Sequence, residues 1–100
     1  MKGSDSVAQM DKINHKEAAF IAIKSLAYIS QSPDELIKFL NVTGLAPADV
    51  IRLRENMRFL GGVLDFLSND QSLLLAFCSH EDFSPAQIEN ARVKLSGPIE

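Results

Sequence analysis

The residues able to do chemistry are few, and their spacing argues against a reactive centre. Cys78 is the single cysteine. It stands in the run Leu73-Leu74-Leu75-Ala76-Phe77-Cys78, where a thiol serves as a small apolar group and stays protonated. His15 and His80 are the two histidines, beside no cysteine and at no spacing used by metal ligands. His80-Glu81-Asp82 offers ligand atoms to a cation but reads as a solvated loop after a helix. Gly61-Gly62 lacks the preceding strand that a phosphate-cradling loop uses. No catalytic, cofactor-binding or metal-binding residue is assigned, and the sequence predicts a protein that is not an enzyme.

Two charged features remain. Arg52, Arg54 and Arg58, with Lys38 as a candidate neighbour, form the one basic cluster, and Glu55 interrupts it. Asp65 stands inside Val63-Leu64-Asp65-Phe66-Leu67, where an ion pair or cap hydrogen bond with an arginine of the third helix is the expected structural role. Arg52, Arg54, Arg58 and Asp65 are together the candidate partner surface. Thr43-Gly44-Leu45-Ala46-Pro47 resembles a helix-hairpin-helix turn, whose amides grip phosphate, but the second glycine of that pattern is Ala46 here. A net charge of −3 opposes general attraction to phosphate backbones. The leading expectation is a non-catalytic helical interaction module that meets a partner protein or its own copy as a homodimer. The alternative is weak nucleic-acid binding through the basic cluster of the third helix.

The elements that position these residues follow from bulk composition and punctuation. One hundred residues, 46% hydrophobic and 23% charged, describe one ordinary globular domain. A lone cysteine fits a reducing compartment, and the expected location is cytoplasmic. The run Ala18-Ala19-Phe20-Ile21-Ala22-Ile23 mimics a secretion signal, yet Lys24-Ser25 breaks it and no small-residue cleavage pattern follows. No stretch nears the roughly 18 apolar residues of a spanning helix, so no membrane partner is expected.

From Glu17 to Arg92 one helical unit is written twice, 38 residues apart. Glu17, Leu26, Ser30, Leu36, Phe39, Pro47, Ala48 and Arg54 recur as Glu55, Leu64, Ser68, Leu74, Phe77, Pro85, Ala86 and Arg92. Such self-similarity marks a repeated supersecondary unit. Asn14 with Glu17, Ser32 with Glu35, and Ser84 with Gln87 have capping-box spacing. Pro33, Pro47 and Pro85 suit first helical positions, and Gly44 suits a left-handed stop. The predicted fold is all-α, a compact bundle of about six helices built from two tandem three-helix repeats offset by 38 residues. Residues 1–13 are expected to form a disordered tail and 97–100 a second tail. Residues 14–96 form the domain, with copies 17–54 and 55–92. The first and fourth helices are expected at the centre, touching closely at Gly61-Gly62, with the two trios packed face to face.

Phe39-Leu40 followed by Thr43-Gly44-Leu45 and Pro47, then Phe59-Leu60 with Val63-Leu64-Asp65-Phe66-Leu67, then Asp70 and Leu73-Leu74-Leu75-Ala76-Phe77, carry a resemblance. The chain resembles a family of short alphaproteobacterial proteins known as domain of unknown function 3572, over about Ala18 to Leu95. The resemblance implies a bacterial protein and supplies no activity, ligand or site residue. Met57-Arg58 depart from an Asp-Pro associated with that family's turn.

Overall fold

The computed structural model describes residues 13–96, and the tail expectations for residues 1–12 and 97–100 lie outside them; Ile13, expected in the first tail, instead packs partly buried against the core. Six helices follow one another: α1 His15–Ser30, α2 Pro33–Thr43, α3 Pro47–Leu53, α4 Met57–Ser68, α5 Gln71–Glu81 and α6 Pro85–Ser96. No strand occurs among the described residues.

Each helix starts where a side chain satisfies an otherwise free backbone N–H. Asn14 Oδ1 accepts from the Glu17 N–H at 2.7 Å, and Glu17 Oε1 accepts from the Asn14 N–H at 3.2 Å. Ser84 and Gln87 make the same reciprocal box before α6. The box expected at Ser32 is only half made. The Glu35 N–H donates to Ser32 Oγ at 3.4 Å, whereas the Glu35 carboxylate turns to Lys38 instead. Ala46, with no side-chain acceptor, receives the other half: its own N–H donates to Asp49 Oδ2 at 3.0 Å. Asn56 and Asp70 cap α4 and α5.

The stops are as specific. Gly44 ends α2 at φ 73° and donates its N–H to the Leu40 carbonyl at 2.8 Å. Asp82 ends α5 at φ 64°, the non-glycine residue with positive φ among those described. His80 and Glu81, expected in a loop, therefore belong to the last turn of α5. A Cβ strains the left-handed conformation. Replacing Asp82 with glycine is expected to stabilise the fold by about 0.5–1 kcal/mol, read as a higher urea midpoint with an unchanged slope.

Only some helix limits stand 38 residues apart: α2 and α5 coincide at both ends, α1 and α4 end at Ser30 and Ser68, and α3 and α6 begin at Pro47 and Pro85, whereas α1 and α4 begin at His15 and Met57 and α3 and α6 end at Leu53 and Ser96. The packing departs further. A central trio of α1, α4 and α6 holds the core, with α6 packed against both α1 and α4. Ala18, Ile21, Ala22, Leu26 and Ile29 of α1 meet Leu60, Val63, Leu64 and Leu67 of α4 and Ile88, Ala91 and Leu95 of α6. The centre is therefore three helices and not the expected pair. Helix α3 buries none of its seven residues. It is too short to present the two turns of apolar surface that α6 offers.

Gly61 also departs from expectation. A Cβ there would lie 3.4 Å from Leu95 Cβ and 3.4 Å from Ser96 Oγ, so the close approach is to α6 and not α1. Gly62 faces open space, with nothing within 4 Å of the position a Cβ would take. Its helix penalty, about 1 kcal/mol relative to alanine, is offset by no close packing among the described residues.

The outer helices α2 and α5 each drive one phenylalanine inward. Phe39 is enclosed edge-on by Phe59 and Phe66, with ring centroids 5.9 and 5.3 Å away. Phe77 lies 5.5 Å from Tyr28 and 5.8 Å from Phe83. Ser25, the one buried polar residue among those described, donates its hydroxyl to the Ile21 carbonyl at 2.9 Å. No helix among the described residues is long and apolar enough to cross a membrane.

Candidate functional site

Arg52, Arg54 and Arg58 lie on the corner from α3 into α4 and Asp65 two turns farther along α4, and the structure sorts them. Arg52 is held by its own helix: Nη2 donates to Asp49 Oδ1 at 2.8 Å. The Ala46 N–H, and then the Arg52 guanidinium, hold the Asp49 carboxyl below its usual value. Arg54 caps the end of α3 and Arg58 is the second residue of α4. Both are exposed, and among the described residues neither has an ion-pair partner. Lys38 does not join them, since its Nζ lies 3.3 Å from Glu35 Oε1 and 3.8 Å from Asp70 Oδ2.

Asp65 pairs with an arginine, but with Arg92 of α6 and not with one from the third helix. The reason is the packing just described, which brings α6 and not α3 alongside α4. Arg92 Nη1 donates to Asp65 Oδ1 at 3.3 Å. The stronger claim on Arg92 comes from Glu89, which accepts from Nη2 at 2.7 Å and from Nε at 3.0 Å. Those hydrogen bonds lower the Glu89 carboxyl, and Glu89, then Asp65, raise the Arg92 guanidinium. The Asp65 side chain remains 51% exposed.

Apolar residues share the same corner. Ile51, one turn before Arg54, is 68% exposed, and Met57, next to Arg58, is 37% exposed. A large aliphatic group exposed on a helix with no fully buried residue is the feature of this surface that the core does not explain. Arg58 and Asp65, seven residues apart, stand on one exposed face of α4 with Gly62 between them.

The residues weighed for chemistry lie elsewhere. Cys78 is buried, and burial pushes its thiol above the ordinary value, away from the reactive thiolate. His80 Nδ1 sits 3.1 Å from Glu81 Oε2 and its ring 5.2 Å from Tyr28, so it contacts α1 and its own helix and not Asp65. His15 opens α1.

A model of the family described as "Protein of unknown function (DUF3572)" matches residues 15–98. The chain belongs to that family. No curated protein and no solved structure matches it. The DUF3572 match begins at the first residue of α1 and passes the last of α6, so all six helices fall within it.

Two features of this DUF3572 chain escaped the sequence reading. An open depression of about 400 Å³ is lined by Tyr28, Gln31, Ser32, Glu35 and Leu73, where α1 turns into α2 beside α5. The polar run Ser30-Gln31-Ser32 was its signal, and it serves equally well as a plain turn. Helix α1 also carries an outward apolar stripe, with Phe20 at 56% and Ile23 at 44% exposure and Ala27 exposed one turn on. Its nearly all-round apolar sequence hid which side faced out.

Proposed function

We propose that this chain is a non-catalytic helical interaction module that docks another protein surface on the corner formed by α3 and α4. The observation that supports this reading is Ile51, an aliphatic side chain left in solvent on a helix with no buried residue. Arg54 lies one turn from it, Arg58 stands in the first turn of the next helix, and Asp65 adds an acceptor farther along α4. An apolar centre with a charged rim is the usual anatomy of a protein–protein contact. A nucleic-acid role gains little, because only two cations of the cluster are unpaired and Glu55 lies between them. Cys78 as a buried free thiol suits a cytoplasmic setting.

A photoreactive side chain placed at position 51 tests the reading. Expected is a discrete cross-linked adduct in the source cell that weakens when Arg54→Glu and Arg58→Glu are combined. The same probe at the exposed position 71 should form none. Equal adducts from both positions, or none from position 51, would remove the α3–α4 corner as the docking face.

A further inference from the structure

Helix α4 gives that surface a specific occupant, an inference that rests on the docking reading above. We infer that the occupant is a second copy of the chain, joined by antiparallel packing of α4 against its twofold mate around Gly62. Arg58, Gly62 and Asp65 follow one another at spacings of four and three, which sets them along one face of the helix. The midpoint between Arg58 and Asp65 falls between Gly61 and Gly62, about 5 Å of helix rise from each charge. A twofold axis at that midpoint sets Arg58 of one protomer opposite Asp65 of its partner, and repeats the pair on the other side. Parallel packing would instead oppose like charges. The face is thus complementary to itself in one orientation only.

Three observations on the single protomer agree. Arg58 has no ion-pair partner among the described residues. Asp65 is the looser of the two carboxylates on Arg92, at 3.3 Å against 2.7 Å for Glu89, so it is free to accept from a new guanidinium. Gly62 points at open space in mid-helix, where alanine would suit the helix better and would meet nothing in the protomer. A bare backbone there allows a second helix to approach more closely than side chains permit, since the residues at a crossing set the interaxial distance. Gly61, by contrast, is occupied from within by α6. Met57 adds apolar area at the edge.

Sedimentation velocity from about 10 µM to about 1 mM decides the matter. The native chain is expected to dimerise with rising concentration. Arg58→Asp, which removes no ion pair or hydrogen bond within the protomer, should raise the dissociation constant at least about tenfold, the equivalent of about 1.4 kcal/mol. Combining Arg58→Asp with Asp65→Arg should restore it to within about threefold of the native value, as expected for one coupled pair. Gly62→Ala should weaken the dimer and raise the thermal midpoint of the dilute monomer, a split that a merely structural glycine would not give. A monomer at every concentration overturns the inference. So does a dimer indifferent to the Arg58 reversal, or one lost instead with Phe20→Glu, which would place self-association on α1. A monomeric chain that still forms the position-51 adduct removes the second copy while leaving the docking reading intact.

Discussion

Replacing Phe77 with alanine is expected to destabilise the fold by about 3–5 kcal/mol, measured by equilibrium urea unfolding. Phe77 is fully buried, and its ring is bounded by Tyr28 on one side and Phe83 on the other. Truncation leaves a ring-sized void between helices that are fixed by their own caps, so the site collapses little. Loss of two aromatic contacts adds to the transfer penalty. For a domain whose total stability is of order 5–15 kcal/mol, this is a large share. Phe39→Ala should behave the same way to within about 1 kcal/mol, because Phe39 is equally buried and enclosed by Phe59 and Phe66. A Phe77→Ala protein with a near-native midpoint would show that α5 is not clamped to the core through this ring.

The second large effect tests the asymmetry between the two halves. Ile88 of α6 and Val50 of α3 occupy equivalent places in the 38-residue alignment, yet Ile88 is fully buried and Val50 only partly so. Ile88→Ala is expected to destabilise by about 2–5 kcal/mol, since the void opens between α1 and α4 at the centre of the molecule. Val50→Ala should cost less, about 1 kcal/mol, as it removes two methyl groups that are only partly buried at the edge of the core. Comparable losses at both sites would mean that α3 seats on the core as α6 does, contrary to the packing.

Sequence legibility followed the range of the interaction. Caps and stops depend on residues three or four apart, and so Asn14, Pro33, Gly44, Pro47 and Ser84 marked the helix limits to within a residue or two. The identity of core positions was also readable, because Leu64, Phe77 and Ile88 sit at apolar spacings on helical faces. What failed was the choice of neighbour. Nothing in the local pattern says that Leu95 rather than α1 comes to Gly61, or that Arg92 rather than an arginine of the third helix reaches Asp65. Both errors share one cause: the duplicated pattern encouraged equal treatment of α3 and α6, while their lengths differ by five residues, seven against twelve.

The aromatic contacts are reciprocal between the two halves of the chain. Phe39 touches Phe66, and Phe77 touches Tyr28; moving Phe39 forward and Phe66 back by 38 residues gives the second pair, with each outer helix reaching across to the other half. The candidate surface was legible as residue types but not as a surface. Arg58 and Asp65 were visible as charges, whereas the open space at Gly62 emerges only once the surroundings of α4 are fixed.

Seating α6 against α1 has a kinetic consequence. The two segments are separated by the whole of α2 to α5, so their meeting closes the largest loop in the described chain and is the contact with the heaviest entropic burden. Folding should therefore build the local helix pairs first and shut this seam last. Under that order Ile88→Ala quickens unfolding and leaves the refolding arm of the chevron nearly unmoved. Until α6 arrives, Leu60, Val63 and Leu64 remain a greasy furrow open to water, which makes the carboxy-terminal helix the latch of the molecule.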